Sequence, residues 1–142
     1  MINMNSIIRL DTRGRLVIPN EFRESLDLKE GDEVLISLDS KTNNLIISPT
    51  YGEPKDLVRL ELVFGDIPGS LAKIAQEISN LKIDLIMSES KSFQRGKKAR
   101  WDIIADISKC EFTSSDIKQK LIQTGFLESM SITKIARDRL HR

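Results

Sequence analysis

The sequence predicts an α+β protein made of two small domains joined by a short linker. Residues before position 50 follow the order β-β-α-β-β around an arginine-rich turn, and residues 57–137 follow the order β-α-β-β-α-β. Residues 48–55, where the two parts meet, contain two prolines and a glycine, a composition typical of a stiff linker. We therefore expect a first domain at 1–50, a linker at 51–56, a second domain at 57–137 and a basic tail at 138–142.

The first domain is built from short apolar runs. Four of these runs predict strands, at Ile7–Leu10, Leu16–Ile18, Val34–Leu38 and Leu45–Ile47. The turn at Arg13-Gly14 joins the first two, and Pro19 opens a helix over Asn20–Leu26, because proline is tolerated where its missing N–H would be unpaired. A unit of about 45 residues buries too little surface to be stable alone. We therefore expect two copies to intertwine as a homodimer.

The second domain shows clearer periodicity. Alternating apolar residues predict strands at Val58–Phe64, Ile83–Ser90, Arg100–Ser108 and Met130–Lys134. Apolar residues at helical spacing predict a first helix, with Leu71, Ile74, Ala75, Ile78 and Leu81 on its buried stripe. Thr113, three residues before Asp116, predicts the start of a second helix that Gly125 ends. The turn between the middle strands is expected at Arg95-Gly96-Lys97. This order predicts both helices on one face of an antiparallel sheet.

Composition excludes several classes of protein. No apolar run exceeds three residues, and the first residues resemble no secretory signal, so we expect a cytoplasmic protein with no membrane span. Cys110 is the only cysteine and His141, next to the end of the sequence, the only histidine. A single histidine at this position forms neither a Ser-His arrangement nor a His metal cluster. We therefore expect no enzyme, no metal and no cofactor. The formal net charge of +1 provides no strong overall field, so any nucleic-acid binding depends on where the cations are placed locally.

The first domain resembles the swapped-hairpin DNA-binding domain of the AbrB/SpoVT/MazE family over about residues 5 to 49. The residues that carry the resemblance are Arg13-Gly14-Arg15, Ile18-Pro19, Phe22-Arg23, Leu26, Leu28, Gly31-Asp32 and Val34. In that family two chains exchange hairpins and present loop arginines to double-stranded DNA. The resemblance implies the same role for Arg9, Arg13, Arg15 and Arg23.

The second domain resembles an ACT domain, an effector-binding module with the βαββαβ ferredoxin-like order. The resemblance rests on that order and on Asp66-Ile67-Pro68-Gly69-Ser70-Leu71 between the first strand and first helix. Family members bind an amino acid between paired domains. The resemblance thus implies effector contacts from Asp66, Gly69, Ser70, Leu71 and Asp84, the last at a position where many members have asparagine.

The arginines also have a simpler interpretation. Side chains alternate between the two faces of a strand, so a regular hairpin projects the odd-numbered Arg9, Arg13 and Arg15 to one face. Guanidinium groups there can bind phosphates and guanine edges. The alternative is that they are solvated turn residues, partly neutralised by Asp11 and Glu21. Arg23 has the further alternative of pairing with Asp27 along its helix.

The other candidates carry alternatives too. The loop at 66–70 meets a helix N-terminus that favours an anion, but Asp66 can instead cap the helix in a domain that only dimerises. The basic cluster Lys91–Arg100, flanked by Phe93 and Trp101, suits either nucleic acid or a solvated hairpin tip with Trp101 in the core. Cys110, beside Lys109, is interpreted as a small packing residue.

The hypothesis is a homodimeric DNA-binding transcriptional regulator whose second domain senses a small effector such as an amino acid. One alternative is a metabolite-sensing regulatory subunit of a partner enzyme. Another is an antitoxin-like DNA-binding protein, although the usual partner-binding tail is extended whereas residues 57–136 have the pattern of a folded domain. The operator, the effector, the sign of regulation and assembly beyond a dimer are left open.

Overall fold

The computed structural model describes residues 3–50, 52, 54–65, 67–94 and 97–138. It divides into two compact units, Met1–Glu53 and Pro54–Arg142. The predicted α+β class is confirmed. The elements in chain order are α1 (Asn20–Ser25), β1 (Val34–Asp39), β2 (Asn44–Pro49), β3 (Leu57–Gly65), α2 (Ser70–Asn80), β4 (Asp84–Gln94), β5 (Lys98–Asp106), α3 (Ser114–Ile122) and β6 (Leu127–Lys134).

The first unit contains one short helix and one hairpin. Pro19 is the N-cap of α1, with ψ 146°, and its carbonyl accepts the N–H groups of Phe22 and Arg23. Strands β1 and β2 pair antiparallel from Val34 opposite Pro49 to Asp39 opposite Asn44. Asn43 has φ 56° and completes the turn between them.

The two strands expected at Ile7–Leu10 and Leu16–Ile18 are not found in described residues 3–19 of the single chain. Two backbone hydrogen bonds hold the chain at the turn, from Asp11 N–H to the Arg15 carbonyl at 2.9 Å and from Gly14 N–H to the Asp11 carbonyl at 3.1 Å. A strand needs a partner along its length, and the apolar side chains here stay uncovered: Ile7 is fully exposed and Val17 73% exposed. The order β-β-α-β-β is therefore wrong for one chain by itself.

The second unit is a four-stranded antiparallel sheet in the order β4-β5-β3-β6. Alternate residues of the two central strands are buried and form a core with residues from both helices. The core includes Leu60 and Ile103 from the sheet, Ile74 from α2 and Ile117 from α3. Both helices therefore cover the same face of the sheet, as the periodicity predicts. Trp101 is 7% exposed and belongs to this core.

The helices follow the predictions from local sequence with two exceptions, one in where a helix ends and one in which side chain is buried. The Thr113 side chain accepts the Asp116 N–H at 3.2 Å, which confirms the predicted cap of α3. Helix α3 ends at Ile122, whereas Gly125, expected to end it, has φ 81° three residues later. Leu71, expected on the buried stripe of α2, is 40% exposed, because the first turn of the helix lies beside small polar residues of β4.

Asp106 anchors the first residues of the second unit. Its carboxylate accepts backbone N–H groups from Ser108 at 2.9 Å, Asp56 at 3.2 Å and Lys55 at 3.3 Å. Partial burial acts to raise the pKa of Asp106, but these hydrogen bonds outweigh it and hold that pKa below its usual value. The chain thus enters β3 from a fixed position.

No helix within the described ranges is both long and apolar enough to span a bilayer.

Candidate nucleic-acid interface and effector site

The arginine-rich turn of the first unit is organised by Asp11. One carboxylate oxygen, Oδ1, accepts the backbone N–H groups of Arg13 at 2.8 Å and Arg15 at 2.9 Å. The Asp11 carbonyl accepts the Gly14 N–H at 3.1 Å, and Gly14 has φ 75°. A type I turn followed by a left-handed residue is a common hairpin loop, and glycine adopts that conformation without strain. The predicted turn at Arg13-Gly14 is therefore confirmed.

Arg15 is bound by the same aspartate. Its Nε–H donates to Asp11 Oδ2 at 2.6 Å, while the side chains remain 56% and 40% exposed for arginine and aspartate respectively. Hydrogen bonds from the backbone and side chain of Arg15 hold the pKa of Asp11 below its ordinary value. The pair uses one of five guanidinium donors, so Arg15 still presents N–H groups to an anion.

Arg13 and Arg9 are both exposed. Neither guanidinium has a polar partner among the residues that the structure describes. The loop thus presents two different cations around Gly14: Arg13, which is solvated, and Arg15, which is oriented by an ion pair.

Arg23 has a local structural role in the free chain. It is half-buried, and its guanidinium donates to the Ile18 carbonyl at 2.8 Å and to Asn20 Oδ1 at 3.2 Å. The alternative partner Asp27 instead lies 3.8 Å from the Lys29 ammonium. These contacts fix the entry to α1, and a DNA contact of Arg23 stays a prediction.

The first unit lacks an apolar core of its own. Among its described residues, Leu35 is the only large hydrophobic residue that is buried. The core cluster of the protein lies entirely in the second unit. One face of the β1–β2 hairpin instead leaves apolar side chains in solvent, with Ile36 60% exposed, Leu38 72% and Leu45 60%. This face needs a cover that the chain does not provide within the unit.

The candidate effector residues lie at two separate ends of the second unit. Gly69 is the N-cap of α2, with φ 89°, and Ser70 is buried directly after it. Asp66 lies outside the described residues. Gly65 at the end of β3 pairs with Lys98, which in turn pairs with Gln94 at the end of β4.

Asp84 is at the opposite end of this sheet. It pairs with Asp106, which pairs with Leu57 at the start of β3. Because a strand rises about 3.3 Å per residue, the two ends of β4 are on the order of 30 Å apart. One chain therefore does not bring Asp84 together with Gly69, Ser70 and Leu71.

A shallow pocket of about 140 Å³ lies beside Leu71. Phe64, Leu71 and Ala99 provide its apolar surface, and Ser90 and Ser92 provide hydroxyl groups. These serines pair with Trp101 and Ala99, so they lie on the helix-covered side of the sheet at an edge strand. This pocket was not predicted from the sequence, although serines at alternate positions of a strand could have indicated it.

The basic cluster around the β4–β5 turn is largely neutralised. Each of three cations has a carboxylate partner: Lys91 with Glu89 at 3.2 Å, Lys98 with Glu128 at 3.3 Å, and Arg100 with Asp102 at 2.8 Å. The Asp102 hydrogen bond raises the pKa of Arg100. Arg95 and Gly96 of the expected turn lie outside the described residues. Because these cations are paired and Trp101 lies in the core, the structure favours a solvated hairpin tip over a nucleic-acid surface.

Comparison with known families covers most of the first unit and the start of β3. Residues 7–62 match the family model described as antidote-toxin recognition MazE, bacterial antitoxin. The match includes the Asp11–Arg15 loop, α1 and the β1–β2 hairpin, and it supports the resemblance stated for the N-terminal part. No curated protein matches the chain.

Two of the solved structures that match this chain show the degree of likeness, which is weak. A formyltetrahydrofolate deformylase from Pseudomonas putida KT2440 has a TM-score of 0.46 at 11% identity, over 58% of this chain and 29% of its own. GqqA, described as a novel type of quorum quenching acylases, has a TM-score of 0.46 at 13% identity, over 72% of this chain and 45% of its own. The chain spans less than half of each relative, and TM-scores below 0.5 assign neither fold nor function.

Proposed function

We propose that this chain is a cytoplasmic, homodimeric, DNA-binding transcriptional regulator. In this proposal two first units exchange hairpins, and the second unit is a ferredoxin-like, ACT-like domain that senses a small effector such as an amino acid. The observation that carries the proposal is the ordered Asp11–Arg15 loop, which presents arginines on a unit without its own core. The proposal includes no catalytic step.

The exposed hairpin face supports the two-chain arrangement. Covering Ile36, Leu38 and Leu45 with the same face of a second copy removes apolar surface from water, which stabilises association by roughly 25 cal/mol per Å². The segments around residues 7–10 and 16–18 gain strand partners in the same step. A two-fold dimer then presents two copies of the arginine loop.

Charge placement supports DNA as the ligand. Residues 3–23 contain four arginines and two acids, whereas residues 24–50 contain two lysines and six acids. Positive charge is thus concentrated on the loop and its flanks, even though the whole unit is not basic. Arg13 fits a phosphate contact, and the planar fork of Arg15 fits either phosphate oxygens or a guanine edge.

The second unit supports effector sensing through its geometry. Its strand order and single helical face agree with the resemblance to an ACT domain. Because Asp84 is far from Gly69–Leu71 in one chain, these residues form one site only when two copies place opposite ends of their sheets together. An effector bound there changes DNA affinity only if it binds the DNA-competent arrangement with a different affinity.

The test selects bound fragments from genomic DNA with the purified protein, with and without a panel of amino acids. We expect one enriched sequence class, and enrichment that changes with an added amino acid. Arg13→Ala and Arg15→Ala should each weaken binding to a selected duplex, and a lost phosphate contact lowers the salt slope by about 0.9 per copy of the chain. Lys118→Ala, which removes an exposed cation on α3, is the matched control.

Binding and salt slope that survive both arginine substitutions would contradict the proposed interface. Enrichment that ignores every amino acid would leave the second unit as a dimerisation block.

A second candidate, an antitoxin-like role, is favoured by the description of the family that residues 7–62 match. In this case the protein binds DNA and a toxin polypeptide. The folded second unit, in place of an extended tail, makes it the weaker candidate. Purification from the native host separates the two, since a stoichiometric small protein partner is expected only of an antitoxin.

A further inference from the structure

The acceptor geometry of Asp11 connects the shape of the loop with the state of Arg15. One oxygen of the carboxylate holds two backbone N–H groups, and the other holds the Arg15 side chain. The backbone contacts need only an acceptor, whereas the side-chain contact needs a negative charge for its full strength. The two roles can therefore be separated by substitution.

Asp11 also distinguishes the two arginines beside Gly14. Arg13 donates only its backbone N–H to Asp11, so its guanidinium remains solvated. Arg15 is restrained through Nε, which limits the rotation of the guanidinium plane and leaves the donors on Nη1 and Nη2 for another acceptor. A restrained fork loses less conformational entropy when it meets a planar acceptor pair such as a guanine edge.

We infer that Asp11 is a specificity-determining positioning residue: it restrains Arg15 in the free protein, so that Arg15 contacts base edges rather than any passing phosphate. The inference rests on the proposed DNA binding. The negative charge of Asp11 also repels phosphates that approach Arg15 without the correct register. Nonspecific binding then depends mainly on Arg13, and specific binding on both arginines.

The test compares Asp11→Asn with wild type on two duplexes. One duplex carries a sequence that the wild-type protein selects, and the other is a shuffled duplex of equal length. Asparagine retains an oxygen for the backbone N–H groups but removes the charge that holds Arg15. We expect the ratio of specific to nonspecific affinity to fall about fivefold, from weaker specific binding and stronger nonspecific binding. The nonspecific salt slope should steepen by about 0.9 per copy as Arg15 reaches a phosphate.

Asp39→Asn is the matched control for charge. Asp39 Oδ1 accepts the Lys41 N–H at 3.0 Å in the turn between β1 and β2. Asp39→Asn therefore removes the same negative charge from a different loop. An equal fall of the affinity ratio in Asp39→Asn would show a bulk-charge effect and overturn the inference.

A second measurement needs no DNA and verifies the restraint directly. Hydrogen exchange of guanidinium Nε–H groups by NMR should show Arg15 protected relative to Arg13 in wild type, with protection lost in Asp11→Asn. Equal exchange of the two in wild type, or an unchanged affinity ratio in a folded Asp11→Asn, overturns the inference while leaving the proposed function in place. If Arg13→Ala and Arg15→Ala both bind the two duplexes as wild type does, the proposed function and this inference fail together.

Discussion

Leu38→Ser tests whether the exposed hairpin face of the first unit is covered by a second copy. Leu38 is 72% exposed in the single chain, so nearly three quarters of its side chain becomes buried if the face is covered. Full burial of a leucine stabilises by about 1.5–3 kcal/mol, which gives about 1–2 kcal/mol for this fraction. A two-fold dimer contains the substitution twice, so association should weaken by about 2–4 kcal/mol. The dimer dissociation constant should therefore rise by about 30- to 1,000-fold.

Sedimentation equilibrium over a concentration series measures this constant. Ile122→Ser is the control, because Ile122 is 44% exposed on α3 of the second unit, away from the proposed effector residues. Circular dichroism checks that the second unit, which has its own core, remains folded. A dissociation constant for Leu38→Ser equal to that of wild type would refute the argument that this face joins two chains.

Two further predictions concern the second unit. Thr113→Ala removes the acceptor for the Asp116 N–H, and should lower the free energy of unfolding by about 1 kcal/mol in urea denaturation, whereas no loss would argue against the cap. Asp106 has a pKa held below its usual value, so its contribution to stability is present above the ordinary carboxyl pKa of about 3.9 and is lost as pH falls through the lower folded value. Asp106→Asn should flatten this part of the acid dependence in unfolding measured by circular dichroism, and an unchanged pH profile would contradict the assignment.

The sequence predicted those parts of the fold that depend on short-range chemistry. The alternation of Val58, Leu60, Leu62 and Phe64 indicates which side of β3 is buried, because adjacent side chains of a strand point to opposite faces. The cap at Thr113 and the turn at Gly14 are likewise decided within a few residues. At the candidate interface, the residue types around Gly14 are enough to predict a cationic loop.

Tertiary structure alone decided which of these residues meet. Leu71 has the spacing of a core residue but lies beside Ser90 and Ser92, since its environment depends on an edge strand distant in sequence. Asp84 and Gly69 belong to opposite ends of one sheet, a fact that follows from strand register and not from local pattern.

The N-terminal hairpin shows the same division most clearly. Local pattern supplied the turn and the apolar flanks, but their burial requires a surface that residues 3–50 do not contain. Periodicity determines which side chains need cover, and only the packing of elements that are distant in sequence, or of a second chain, determines what covers them.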